Sequence, residues 1–314
     1  MYRRTGASLE DCSEMSLRRS NCFLLKKQKM HCANASSHRT SAATSDHEQT
    51  IILCQHNILA PVWVTPQYSL LPCTEEFTSE KRINTTTKYL RSFDADIYCL
   101  CEVEERLLPV LDAAFPNYNR FFSDNEPGFW DEWLDEGEER VPNGTCVLVR
   151  DDVFSNCEGL TQPLGDGCVC CLVKCVHNTS GVTMLIASVH FDNGDRKWTE
   201  AEVLLSVLDG MRADVKIVSG DYNFTETSVF VERGYIEHTR KVDTTPLPQG
   251  MIDHTLLLSS NVVSGSASTG EGEVMQVRGD HGHGVVRDTV NDICATVRTN
   301  GSDHYATVTR VALT

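Results

Sequence analysis

The sequence predicts an α/β sandwich, and three observations predict it. From Ile51 onward strand-like and helix-like segments alternate, the strands outnumber the helices, and several strands are joined by hairpin turns. A parallel, doubly wound sheet would instead need a crossover helix after nearly every strand. The 314 residues are 40% apolar and 23% charged, a balance that supports a substantial core and excludes wholesale disorder. No apolar run approaches the roughly 20 residues that a membrane-spanning helix needs.

The elements follow in order. Ile51–Asn57 reads as a strand and 62–78 as a loop containing Pro and Thr. From Glu80 to Phe93 the apolar positions Ile83, Leu90 and Phe93 recur near helical spacing. Asp96–Val103 is nearly all apolar, as a strand buried on both faces should be. The stretch 124–143 carries eight acids against one Arg around Trp130 and Trp133; it reads as a solvated loop, with a protein-partner site as the alternative. Thr145–Arg150, Val169–Val176 and Val182–Phe191 read as strands, the last two joined by the turn residues 177–181. Arg196–Met211 is an amphipathic helix with Trp198, Ala201, Leu204, Leu205 and Leu208 on one face. Val215–Ser219, Met251–Leu258 and His304–Leu313 complete the strands, with a Gly/Ser-rich polar stretch over 264–301.

Charge divides the chain. The first 50 residues hold eight Lys/Arg against five acids, which leaves 20 basic and 39 acidic residues for 51–314. Residues 1–50 are rich in Ser, Thr and Asn and read as a disordered tail, with a targeting segment as the alternative; 51–314 reads as one catalytic domain. The net charge of −16 excludes a binder that coats nucleic acid phosphates with basic side chains, but not an enzyme that reads phosphate through metal ions. The fourteen cysteines are scattered and several sit in apolar strands, so they read as reduced thiols rather than a disulfide or zinc framework. One of six N-x-S/T sequons falls on Asn223, inside the candidate site. Together with the thiols this points to an intracellular protein, cytoplasmic or nuclear, with mitochondria as a further option.

The chemistry collects at strand ends. Asn57 closes the first strand, Glu102 the buried strand, and His190 the strand 182–191. Asp221 and Asn223 follow Val215–Ser219, Asp253 opens another strand, and Asp303-His304 opens the last. Polar groups inside apolar runs are costly unless paired or metal-bound, and so many at successive strand ends predict one shared cleft. His177, His238, His254, His281 and His283 read as loop or surface residues.

In order, Asn57 in QHNILA, Glu102 in DADIYCLCEVE, His190 in SVHF, Asp221 and Asn223 in GDYN, Asp253 in IDH and Asp303-His304 in SDHY resemble the endonuclease/exonuclease/phosphatase superfamily over 51–314. The resemblance implies a four-layered α/β sandwich of two packed, largely antiparallel sheets with helices outside. Asn57–Ala60, Tyr68 through Pro72-Cys73, Lys81-Arg82 and Asp94–Ile97 running into Glu102–Glu104 are most similar to its deadenylase-like branch: carbon-catabolite-repression deadenylases, nocturnin, angel and 2′-phosphodiesterase. Asn143–Cys146 resembles that branch's Asp-Gly-Cys step, whereas the usual Gln before the metal-binding Glu is Cys101. Asp280-His281 offers a second Asp-His pair, but only Asp303-His304 leads into a strand-like run.

The activity implied is a metal-dependent phosphodiester hydrolase, a 3′ exoribonuclease of the deadenylase kind that acts on RNA or a nucleotide. The alternatives are a small nucleotide, a phosphoinositide or phospholipid headgroup as substrate, or a non-catalytic binding module on the same scaffold. Oxygen donors without thiolate favour Mg²⁺ or Mn²⁺ over zinc. On the family pattern Glu102 is the main metal ligand, with Asn57 and Asp303 as ligands or ligand support. A second ion would use Asp221, Asn223 and His304. Asp221 orients or deprotonates the attacking water, and Asn223 donates to a phosphoryl oxygen. His304, oriented by Asp253, stabilises charge on the phosphate, and His190 is a second donor; Asp221 and His304 could exchange roles.

Overall fold

The computed structural model describes residues 49–62, 81–126, 141–238, 251–259 and 301–313. Residues 1–48, the 62–78 loop beyond Val62 with Tyr68, Pro72 and Cys73, the centre of the acidic stretch with Trp130 and Trp133, and Asp280, His281 and His283 lie outside that set.

Eleven strands among the described residues form two sheets. The first contains β1 (Gln49–Asn57), β2 (Ile97–Glu104), β3 (Tyr118–Asp124), β4 (Asn143–Arg150) and β11 (Thr307–Leu313), in the order β11-β1-β2-β4-β3. The second contains β5 (Phe154–Gly165), β6 (Cys168–His177), β7 (Thr183–His190), β8 (Val215–Asp221), β9 (Ile236–Glu237) and β10 (Asp253–Ser259), in the order β5-β6-β7-β8-β10-β9. β1 with β2 and β7 with β8 run parallel; the other pairings are antiparallel.

Apolar side chains on both faces of the central strands dictate four layers. Between the sheets, Leu53, Cys99 and Val147 of the first meet Cys171, Ile186 and Ile217 of the second. The outer face of the first sheet, with Cys54, Tyr98 and Leu100, is covered by Leu90 of α1 (Lys81–Arg91) and Leu111 of α2 (Leu108–Ala114). The outer face of the second, with Leu185, Ala187 and Val218, is covered by Ala201, Leu204, Leu205 and Leu208 of α3 (Lys197–Gly210) and Phe230 of α4 (Ser228–Val231). This is the expected sandwich, and the nine described cysteines are free thiols. No helix among the described residues is long and apolar enough to cross a membrane.

Several elements depart from the sequence reading. β3, β5, β9, α2 and α4 are additional. β5 is an edge strand whose exposed and sheltered residues alternate unevenly around two register shifts, so its apolar pattern is weak. α2 begins with a proline in its first turn, which is compatible with a helix start but punctuates the sequence as a break. Trp198 does not share the buried face of α3: it is 40% exposed, while the other four apolar positions are buried. His254 is no surface residue but wholly buried in β10, and His177 is buried at the end of β6, its ring on Ser180 Oγ at 2.8 Å.

The parallel pairs matter most for function. Because β1 and β2 run together, and β7 and β8 likewise, Asn57, Glu102, His190 and Asp221 all lie at carboxyl ends on the same rim of the sandwich. The antiparallel β10 and β11 bring their beginnings to that rim: Asp253 pairs with Asp221, and Thr307 with Gln55.

Replacing Ile186, in the layer between the sheets, by alanine should lower unfolding free energy by about 2–5 kcal/mol, read as an earlier urea midpoint. A midpoint unchanged from wild type would contradict the two-sheet core.

Candidate active site

The backbone aims Glu102 before any side-chain contact does. Between the pairs Leu100–Cys146 and Val103–Gly144, two residues of β2 face one of β4. Glu102 occupies this bulge with φ of +55°, a conformation costing a non-glycine residue about 1–2 kcal/mol. Leu100 and Val103 both remain in the outer core, and the extra residue turns the carboxylate to the rim. Cys101 points the other way, its thiol donating to Val189 O of the opposite sheet at 3.0 Å.

Asn57 links the two sheets' acids. Its Nδ2 donates to Glu102 Oε1 at 2.8 Å and to Asp221 Oδ2 at 3.1 Å, while its Oδ1 accepts from Leu59 N at 3.0 Å. Glu102 Oε2 accepts from Ala60 N at 2.9 Å, so the chain leaving β1 grips both ends of the pair. His190 stands on the same cleft, its Nε2 3.9 Å from Glu102 Oε1 and 3.9 Å from Asp221 Oδ2. The β7–β8 pairing that sets this distance needs Gly220, where a Cβ would come within 1.9 Å of Val189 O.

A buried hydrogen-bond chain orients His304. Thr307 Oγ1 donates to Gln55 Oε1 at 3.1 Å, Gln55 Nε2 donates to Asp253 Oδ1 at 2.6 Å, and Asp253 Oδ2 lies 2.8 Å from His304 Nδ1. The other ring nitrogen, Nε2, then faces Asp221 Oδ2 at 3.7 Å. Ser302 fixes the loop that carries Asp303 and His304, donating from Oγ to Asn57 O at 2.6 Å and accepting from His304 N. Asp303 is buried beside it. Arg82 braces the whole rim: Nη1 donates to Ile58 O and Gly301 O, and Nη2 to Leu59 O, at 2.7–2.8 Å.

Seven of the eight sequence-derived residues, Asn57, Glu102, His190, Asp221, Asp253, Asp303 and His304, gather here through direct or shared contacts. Asn223 also belongs to the cleft loop, but its Nδ2 is held by Phe191 O at 2.8 Å while its backbone N–H caps Asp221 Oδ1 at 2.9 Å. Its visible work is to hold the loop that carries Asp221. Gln55, Arg82 and Ser302 stand in the motifs quoted from the sequence but receive no part in the site there. Only the two-residue spacing of Gln55 from Asn57, one strand face, signalled the first of them. His254, which the sequence reads as a loop or surface residue, ties the same loop from behind, with Nδ1 2.5 Å from Glu237 Oε1 and Nε2 2.8 Å from Phe224 O.

The electrostatics sort the roles. Burial raises the Glu102 carboxyl, and Asp303 adds to it against the pulls of His190, Asn57 and Ala60 N. Burial and then Asp253 raise Asp221, opposed by both histidines and Asn57. Burial alone would lower His304, but Asp253, Asp303 and Asp221 outweigh it and hold the imidazole protonated well above its ordinary range. His56, wholly buried behind Asn57, is pushed the other way by burial and by His304, to about 3, and stays neutral.

Asp221, Asp253 and His304 offer ligand atoms within 4.8 Å of one another, a carboxylate–imidazole group of the kind that can hold a metal ion. Yet both oxygens of Asp253 are already engaged, one of them by His304 Nδ1. The donor set around Glu102 fits a divalent cation better: Asp221 and Asp303 are buried carboxylates, Glu102 leaves only 12% of its side chain exposed, and the Arg82 guanidinium is committed to backbone carbonyls.

Comparison with known proteins agrees with this fold. The model of the Endonuclease/Exonuclease/phosphatase family matches residues 68–304. No curated protein matches the chain by sequence. Among solved structures, ANGEL2, described as a 2′,3′-cyclic phosphatase in complex with adenosine-2′,3′-vanadate, is similar at 13% identity over 83% of this chain and 95% of its own, with a TM-score of 0.61. The human nocturnin catalytic domain with bound sulfate is similar at 17% identity over 86% and 97%, TM-score 0.56. A mannosyl-6-phosphatase of Bacteroides thetaiotaomicron is similar at 16% identity over 83% and 99%, TM-score 0.57. At these identities the likeness concerns the fold.

In the metal-free protein the His304 imidazole should titrate well above pH 6.5 by NMR, because the protonated form is the one its carboxylate neighbours favour. Asp253→Asn removes the foremost of these neighbours and should bring the midpoint down; an unmoved midpoint would contradict the pairing. Because a cation competes with the proton on Glu102, divalent-ion affinity should begin to fall on acidification while the pH is still above 4.5. Calorimetric titration across pH checks it.

Proposed function

The chain belongs to the endonuclease/exonuclease/phosphatase family, and on that premise we propose that it is a Mg²⁺- or Mn²⁺-dependent phosphodiester hydrolase that acts on RNA or a nucleotide, releasing nucleoside monophosphates in the manner of a deadenylase. The observation that carries this reading is the Asn57 amide bridging Glu102 and Asp221, with His304 Nε2 3.7 Å from the same Asp221 oxygen. Acid, base and phosphate donor thus share one cleft.

A bound divalent ion supplies charge neutralisation on the phosphoryl oxygens and a more acidic water. Glu102 would hold it, with Asp303 beside it and Asn57 keeping the Glu102 carboxylate in place. Asp221 accepts the proton of the attacking water: burial raises its basicity, and Asn57 and Asn223 N–H fix its orientation. His304 donates from Nε2 to a phosphoryl oxygen as negative charge grows there, and Asp253 keeps the proton on Nδ1. His190, its Nε2 3.9 Å from Asp221 Oδ2, is the second donor to the phosphate. Between Asp221 and His304, the carboxylates around His304 favour its protonated form, which supports Asp221 as the base and His304 as the donor.

A small phosphoester is the second reading, favoured by the acidity of the chain, which repels a long polyanion. The similar structures include proteins described as a 2′,3′-cyclic phosphatase and a sugar phosphatase.

Glu102→Ala should lower turnover at least about 100-fold with Mg²⁺ present, and chelation of the ion should abolish it. Oligo(A), adenosine 2′,3′-cyclic phosphate and inositol phosphates assayed together identify the substrate class. Full activity of the variant would contradict the reading, and inactivity of wild type on every phosphoester would leave a binding module.

A further inference from the structure

The first turn of α3 breaks the helix's own pattern. Ala201, Leu204, Leu205 and Leu208 are buried against the second sheet, but Trp198 leaves 40% of its surface to solvent. Large hydrophobic side chains are this exposed at only two other described positions, Val231 and Ile236. The indole does not hang free. It packs on Phe224 with ring centres 4.5 Å apart and planes at 31°, and Phe224 in turn stacks on Phe191 at 5.8 Å and 20°.

That ladder of rings runs through the core directly behind residues of the cleft. Phe191 directly follows His190, and Phe224 directly follows Asn223. The helix turn is clipped to the same loop, since Lys197 Nζ donates to Asn223 O at 3.0 Å and Asn223 Nδ2 donates to Phe191 O. On its other side Arg196 pairs with Asp192 at 3.2 Å, two residues beyond His190. One face of the indole is therefore backed by a packed ring, and the turn that carries it is held on both sides.

We propose that the outer face of Trp198 is a stacking platform for the nucleobase of a nucleotide whose phosphate lies among Glu102, Asp221 and His304. An aromatic face accepts any base by stacking, and one already held in place loses little freedom when it does so. This inference rests on the phosphodiesterase reading and narrows it: the substrate carries a base, and inositol or sugar phosphates lack what Trp198 offers. Trp198 is then a specificity residue that contacts the substrate away from the reacting atoms, so it should act on KM and not on kcat.

The test uses the full chain with Mg²⁺ and two substrates: the dinucleotide adenylyl-(3′→5′)-adenosine, and the same diester lacking both bases. For Trp198→Ala the expected result is a rise of about 5- to 100-fold in KM for the dinucleotide with kcat within about twofold. Trp198→Phe should stay close to wild type, and neither variant should change the abasic diester. A dinucleotide KM unmoved in Trp198→Ala overturns the proposal, and so does an equal rise for the abasic diester, which would mark Trp198 as a mere cover over Phe224. Fluorescence provides a readout that needs no turnover: adenosine 5′-monophosphate should quench wild-type tryptophan emission, and the quench should vanish in Trp198→Ala. Quenching without hydrolysis would sink the phosphodiesterase reading while keeping the platform; hydrolysis without Trp198-dependent quenching would do the reverse.

Discussion

Everything at the rim follows from the burial of three carboxylates. Asp221 and Asp303 are withdrawn from water, and Glu102 largely so, at the mouth of a sandwich whose core admits no other charge cheaply. The fold accepts that cost by construction. Two parallel strand pairs, one in each sheet, end at the same edge, and a bulge turns Glu102 out of the strand to join Asp221. Asn57 spans the gap between sheets with one amide, and Arg82 spends its donors on three carbonyls rather than on the acids. The acids are left gathered and basic, which is the condition in which a divalent cation binds and a water can be deprotonated.

The chain from Thr307 through Gln55 and Asp253 to His304 gives the cleft its second property, a fixed positive donor beside a base. It runs through both sheets, from β11 to β1 to β10. Packing of the two sheets and the protonation of one imidazole are thus the same fact seen at two scales. A disturbance between the sheets should reach the chemistry by loosening this chain, whereas exposed edge strands such as β5 are insulated from it.

Much of this was legible in the sequence. The double-sided apolar runs announced buried strands, and polar residues interrupting them at Asn57, Glu102, His190, Asp221, Asp253 and Asp303-His304 announced the rim, because such interruptions are tolerated only where they serve each other. β3 and β5 were illegible because half-exposed edge strands have no reason to keep a regular apolar alternation. Trp198 and His254 were misread for a common cause. Helical spacing and residue type describe what a position can do, but not whether a ring finds Phe224 or Glu237 as its neighbour. The supporting donors Gln55, Arg82 and Ser302 act on residues 23 to 245 positions away, separations that periodicity does not reach.

The sharpest measurement is anomalous diffraction from crystals soaked in Mn²⁺. The account predicts a peak within bonding distance of the Glu102 carboxylate, on the side shared with Asp221 and Asp303, and its loss in crystals of Glu102→Ala. A peak held instead by Asp253 and His304, or one that persists without Glu102, would contradict it.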